Sequence, residues 1–95
     1  MSKSKLEQAL SILKHLDSDQ VIQLIDSAFD YFIDPKSFPL QKLTLNIRAP
    51  FSAIYLCIKN ANPKTYDMIM NMGLDDRVRA RLLEKVSSIY AESAT

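Results

Sequence analysis

The sequence predicts an all-α protein, a compact orthogonal or irregular bundle of five or six short helices around a central apolar helix. In most segments, apolar residues recur every three or four positions, as on one face of a helix. The chain has one glycine and four prolines, which leaves little material for loops. Only residues 40–48 also alternate as a strand would, and a single unpaired strand is not stable. Residues 1–95 are therefore expected to form a single helical domain.

Residues 50–61, PFSAIYLCIKNA, are predicted to form the central helix, with Pro50 in its first turn. A helix that is apolar around most of its circumference is usually buried, and this one is too short to cross a membrane. Its single cysteine, Cys57, is the only one in the chain, so no internal disulfide can form and a reducing compartment is expected. The apolar side chains of this helix are Phe51, Ala53, Ile54, Tyr55, Leu56, Cys57 and Ile58.

Two helices are predicted before the central one, at residues 3–16 and 19–33. His15 falls on the polar side of the first helix, where a solvated surface residue is expected. Asp17, followed three residues later by Gln20, resembles a capping box that starts the second helix. The apolar residues of the second helix predict its core face, which comprises Val21, Ile25, Ala28, Phe29 and Phe32.

The second helix also carries aspartates on the side opposite its core face. Residues 17–34 contain five aspartates and no Lys or Arg, whereas residues 35–64 contain five basic residues and no acid. Pairing between neighbouring elements of the chain and a charged surface that faces a partner are both consistent with this distribution. Leu24 and Tyr31 extend the apolar arc along one edge, which either packs on another helix or contacts a partner. The candidate protein-binding residues are Asp19, Leu24, Asp26, Asp30 and Tyr31.

Residues 40–48 are expected to form a short helix or an irregular link. Asn62 and Pro63 are typical of an N-cap and a first helical residue, which predicts a helix over 63–72 with Gly73 in a left-handed conformation after it. The side chains expected on the inner face of this helix are Tyr66, Ile69 and Met70.

The last helix is predicted at residues 75–91, with Asp75 and Asp76 at its start, where carboxylates suit the positive end of the helix dipole. Arg79 lies close to its apolar arc and is expected to extend towards solvent or to pair. The side chains expected on its core face are Val78, Leu82, Val86, Ile89 and Tyr90.

Three basic residues of the last helix, Arg77, Arg81 and Lys85, are spaced i, i+4 and i+8 and form what we call the basic ridge. Residues 63–91 superficially resemble a helix-turn-helix unit, in which the basic ridge would contact phosphates. Asp75 and Asp76 would then face phosphates, the bulky Ile69 occupies a position where a small residue is usual, and the net charge is only +1. Nucleic-acid binding is therefore the alternative function.

The chain contains no glycine-rich phosphate loop, no His/Cys cluster and no nucleophile motif, so no catalytic residue, metal ligand or cofactor is predicted. The preferred prediction is a small non-enzymatic regulatory or adaptor protein that binds a partner protein or associates with itself, as a homodimer for example. The N-terminus has no apolar run of signal-peptide type and no segment reaches membrane-spanning length, so a cytoplasmic location is expected.

Overall fold

The computed structural model describes residues 4–37 and 43–93 and confirms an all-α bundle, with no strand in those ranges. None of the helices in these ranges has the length and apolar character needed to cross a lipid bilayer. Two 3₁₀ helices, Ser11–His15 and Pro35–Ser37, follow the first and second α-helices. The α-helices are α1 Lys5–Leu10, α2 Ser18–Ile33, α3 Leu45–Lys59, α4 Pro63–Met70 and α5 Asp76–Ser93.

Side-chain caps fix the helix starts where the sequence predicted them. The Asp17 carboxylate accepts a hydrogen bond from the backbone N–H of Gln20 at 3.1 Å. The Asn62 side chain accepts one from the N–H of Thr65 at 2.9 Å. Asp75 does the same for the first turn of α5. Each cap satisfies an amide that the helix itself leaves without an acceptor.

The first predicted helix, at residues 3–16, is divided into α1 and a 3₁₀ helix at Ser11. The Ser11 hydroxyl donates a hydrogen bond to the Glu7 carbonyl at 2.9 Å. A serine that bonds back to the preceding turn competes with the regular helical ladder. The prediction that His15 is exposed is confirmed.

The central helix begins at Leu45, so the prediction that it starts at Pro50 was wrong. Residues 45–48 of the ambiguous segment 40–48 are its first turn, and residues 40–42 of that segment lie outside the described residues. Pro50 is buried inside the helix. Because proline has no N–H, the Asn46 carbonyl lacks its usual helical donor.

The side of α4 that is buried differs from the predicted inner face. Thr65, Ile69 and Met72 are buried, whereas Tyr66 and Met70 are exposed, so the expected inner face was wrong for these two residues. Positions 65 and 69 lie one turn apart on the same side of α4, and that side meets the core, as does Met72 just beyond the helix. Gly73 has a φ of +77°, as expected of a glycine that follows a helix.

In α5, Val78, Leu82 and Val86 are buried as predicted, and Tyr90 is exposed, contrary to the prediction. The Arg79 guanidinium pairs with the Asp76 carboxylate at 2.7 Å and donates to the Leu74 carbonyl at 3.4 Å. The expectation that Arg79 must extend or pair is confirmed.

The core is one continuous cluster of buried residues, and α3 lies at its centre, packed against α1, α2 and α5. The side chains of Ile54, Cys57 and Ile58 have no exposed surface, as predicted for the central helix. The prediction that this helix is buried around most of its circumference was wrong at Leu56, because 46% of its surface is exposed. The apolar circumference of α3 is thus covered on one side only.

Candidate protein-binding surface

The aspartates of α2 face the basic ridge of α5. The Arg81 Nη1 atom lies 3.0 Å from Asp26 Oδ1 and 3.1 Å from Asp26 Oδ2. The Arg77 Nη2 atom lies 2.6 Å from Asp19 Oδ1. The aspartates of α2 and the basic ridge, which the sequence analysis treats as candidates for two different functions, therefore meet at one helix–helix interface.

Lys85 completes this interface. Its Nζ atom lies 3.9 Å from Asp26 Oδ1 and 3.7 Å from Glu84 Oε1. The same atom lies 4.6 Å from the centroid of the Phe29 ring, a cation–π geometry that favours a positive charge at this position. All three cations of the basic ridge thus have carboxylate partners within the chain. A phosphate backbone would have to compete with those carboxylates.

The candidate residues on the edge of α2 are separated by the fold. Leu24 is only 6% exposed and belongs to the core, so it offers no surface to a partner. Tyr31 is half-buried and packs against α3, its ring centroid 5.3 Å from that of Tyr55 and 6.1 Å from that of Phe51. Asp30 is exposed. Of the two residues predicted to form this edge, Leu24 is buried and Tyr31 reaches an open surface. Tyr31 belongs there to a different site.

That site is a cleft between α2 and α3, with a volume of about 660 Å³. We call it the aromatic cleft, because three aromatic rings form its floor. The interplanar angles of Tyr31 with Phe51 and with Tyr55 are 62° and 57°, which are edge-to-face or tilted arrangements that stabilise aromatic clusters. The residues that line the aromatic cleft are Tyr31, Leu43, Arg48, Phe51, Ser52, Tyr55 and Leu56.

Beside the aromatic cleft, the outer side of α3 presents what we call the α3 stripe, made of Leu45, Ala49, Ser52 and Leu56. All four residues are exposed, Leu45 to 80% of its surface. Their spacing of four, three and four residues aligns them along one side of a helix. The α3 stripe has an exposed leucine at each end and two small residues at its centre. It lies on the side of α3 opposite the buried side.

Two cations, Arg48 and Lys59, lie on the flank of α3 next to the aromatic cleft. At about 100° per residue they are within roughly 20° of each other around the helix. Both are exposed, and in the described ranges neither has an acidic side chain within 4.0 Å. No acid occurs anywhere between residues 35 and 64. In the part of the chain that the structure describes, this positive flank therefore has no ion pair of its own.

Two smaller depressions lie elsewhere on the described surface. One of about 380 Å³ between α4 and α5 is lined by residues that include Tyr66 and Tyr90. The other, of about 580 Å³, is lined by polar groups that include Asn60, Lys64 and Thr65. The Thr65 hydroxyl already donates to the Asn60 carbonyl at 2.7 Å. The first depression also contains the Asp67 carboxylate, but its volume is little more than half that of the aromatic cleft, and the described lining of the second has no aromatic ring.

Cys57 and His15, two titratable side chains of types that often take part in catalysis, lie in different surroundings. No group of three or more His, Cys, Asp or Glu residues there could hold a metal ion. Burial raises the pKa of the Cys57 thiol to about 12, so it stays protonated at neutral pH and is a poor nucleophile. His15 lies on the exposed side of its 3₁₀ helix, away from Cys57 in the core.

Comparison of the chain with protein-family models, with curated protein sequences and with solved structures gives no match. Leu45, Arg48, Leu56 and Lys59 were not among the predicted site residues. A helix drawn from Leu45 instead of Pro50 would have aligned both leucines with Ala49 and Ser52 and shown the α3 stripe in the sequence itself.

Proposed function

We propose that this protein is a small non-enzymatic regulatory or adaptor protein that binds a partner protein through the aromatic cleft and the α3 stripe. The observation that carries the proposal is the exposure of Leu45 and Leu56 beside the aromatic cleft, on a helix whose opposite side is the centre of the core. Exposed apolar side chains grouped beside a cleft mark interaction sites more often than isolated ones do.

The residue types of this surface support the proposal. Tyrosine, phenylalanine and arginine are enriched in protein interfaces, and tyrosine and arginine are enriched among the residues that dominate binding energy. The rings of Tyr31 and Tyr55 are held by their mutual packing and by Phe51, so little side-chain freedom is lost when a partner covers them. The buried cysteine is in keeping with a reducing compartment such as the cytoplasm.

Nucleic-acid binding through residues 63–91 has less support. The basic ridge pairs with aspartates of α2, and Asp75 and Asp76 lie at the start of α5, where a recognition helix would meet phosphates. Release of Arg81 and Lys85 from Asp26 would leave that carboxylate beside an incoming polyanion.

Affinity capture from the native host, with proteins and nucleic acids both identified, tests the proposal. Wild-type protein is compared with Leu56→Asp and with the control Met70→Asp. Leu56 and Met70 are matched, because they are exposed to 46% and 47% and lie on different helices. We expect wild type and Met70→Asp to capture the same protein and Leu56→Asp to lose it, while both variants keep melting temperatures similar to that of the wild type.

Capture that is equal for Leu56→Asp and Met70→Asp would show that the α3 stripe is not the binding surface. Capture of DNA or RNA that disappears when Arg77, Arg81 and Lys85 are changed to alanine would instead support the helix-turn-helix alternative. Sedimentation of the purified protein separates self-association from binding to a different chain.

A further inference from the structure

We propose that the occupant of this surface is an acidic amphipathic α-helix of the partner, with its apolar side on the α3 stripe and carboxylates at Arg48 and Lys59. The inference rests on the proposed function and specifies the chemistry of the partner. It follows from the shape of the α3 stripe and from the distribution of charge around it.

The shape of the α3 stripe suits a second helix. From Leu45 to Leu56 it extends about 16 Å, or three helical turns. Ala49 and Ser52 at its centre have short side chains, which let the axis of a partner helix approach closely, and the exposed leucines pack at the two ends. The adjoining aromatic cleft can receive larger apolar side chains, as in complexes where an amphipathic helix binds in a groove.

The charges select an acidic partner. Arg48 and Lys59 are on the same flank and about 16 Å apart along the axis, so they would meet partner residues about eleven positions apart. In α5 the cations of the basic ridge have carboxylate oxygens at 2.6 to 3.9 Å, whereas Arg48 and Lys59 have none within 4.0 Å in the described ranges. Carboxylates of another chain could form ion pairs with Arg48 and Lys59, as the aspartates of α2 do with the basic ridge.

The same charges disfavour a second copy of this chain as the occupant. Two copies packed stripe against stripe would bring two Arg48 and two Lys59 side chains into one interface. The sequence between residues 35 and 64 supplies no acid to compensate them. Like charges brought together in an interface act against association.

Two synthetic peptides of about 18 residues, about 27 Å long as helices, provide the test. They share a leucine stripe at positions i, i+4, i+7 and i+11 and differ in one respect. One carries glutamates along the flank of that stripe, and the other carries lysines at the same positions. At low ionic strength we expect wild-type protein to bind the acidic peptide about tenfold more tightly by fluorescence anisotropy, because two contacts change from repulsion to attraction. Salt should reduce the difference.

Variants of the protein assign the effect to the two cations. The double change Arg48→Glu with Lys59→Glu should reverse the preference, and Arg48→Gln with Lys59→Gln should abolish it without reversing it. Lys64→Glu is the control for a single charge reversal, because Lys64 is exposed on α4 and lines a different depression. Circular dichroism and melting temperatures confirm that each variant is folded.

Equal binding of the two peptides, or binding of neither, would overturn the acidic-helix inference. The proposed function would still stand if host-protein capture remained sensitive to Leu56→Asp, and it would fail separately if that sensitivity were absent. A wild-type dimer that Leu56→Asp converts to monomer would assign the α3 stripe to a second copy and overturn the inference in that way.

Discussion

The basic ridge of α5 and the flank of α3 contain the same kinds of side chain in different surroundings. Arg77, Arg81 and Lys85 are paired with α2, whereas Arg48 and Lys59 have no acidic neighbour within 4.0 Å in the described ranges. Regular spacing made the basic ridge the more conspicuous candidate in the sequence. A cation that is already paired within the fold is less available to a partner than one that is not. The aspartates that pair with the basic ridge are more than 50 residues away in sequence, so the sequence pattern did not reveal the pairing.

The largest expected effect concerns the two sides of α3. Ile54→Ala should lower the free energy of unfolding by about 2–5 kcal/mol, because it leaves a cavity in a packed core. Leu56→Ala should change it by less than about 0.5 kcal/mol, because its surface is already 46% exposed. Urea denaturation measures both. Similar losses for the two variants would mean that the outer side of α3 is as important to stability as the inner side, and that the α3 stripe is not an available surface.

A pH-dependent effect should appear on the inner side of α3. Burial raises the pKa of Cys57 to about 12 in the folded protein, against 9.0 for an unburied cysteine thiol, so between these pH values the unfolded chain loses a proton that the folded chain keeps. Stability must therefore fall as pH rises, by about 1.4 kcal/mol at pH 10 from this group alone. The contribution of Cys57 is isolated by comparison with a variant that lacks the thiol.

The measurement is accordingly the difference in pH dependence between wild type and Cys57→Ala from pH 7 to 10. Cys57→Ala should show the shallower decline. Parallel curves would indicate that the thiol is ionised as readily in the folded protein as in the unfolded chain, contrary to its burial against the other helices.

A smaller effect is expected at the interface between α2 and α5. A double-mutant cycle with Asp26→Asn and Arg81→Gln should give a coupling energy of about 0.5–1 kcal/mol, because both side chains are partly exposed. The cycle for Asp19 and Arg77, whose side chains are 67% and 66% exposed, should give a smaller value. The reverse order would contradict the assignment of Asp26 as the principal partner of the basic ridge.

The smallest effect on stability is expected on the flank of α3. The double change of Arg48 and Lys59 to glutamine should alter the free energy of unfolding by less than about 0.5 kcal/mol, since glutamine has a similar helix propensity and no ion pair is lost. Thermal denaturation measures it. A larger loss would reveal an intramolecular role for these cations and would remove their contrast with the basic ridge.

Features that depend on neighbours in sequence could be predicted. The caps Asp17, Asn62 and Asp75 and the left-handed Gly73 are set within one turn of chain, and the core side of α3 follows from helical periodicity. Asp26 and Arg81 are 55 residues apart, and no local pattern indicates which acid of α2 meets which cation. The aromatic cleft could not be predicted either, because its prediction depends on which side of α2 packs on α3.

The position of Pro50 has a consequence for the dynamics of α3. Because one backbone hydrogen bond is missing at Asn46, fewer bonds hold the turn that carries Leu45 and Arg48 to the buried half of the helix. This turn can therefore open locally at a lower free-energy cost than global unfolding, while the segment around Ile54 stays closed. A ligand that contacts Leu45 and Arg48 favours the closed form of this turn, and slower hydrogen exchange of the Ile47 amide, which donates to the Thr44 carbonyl at 3.1 Å, would record its arrival.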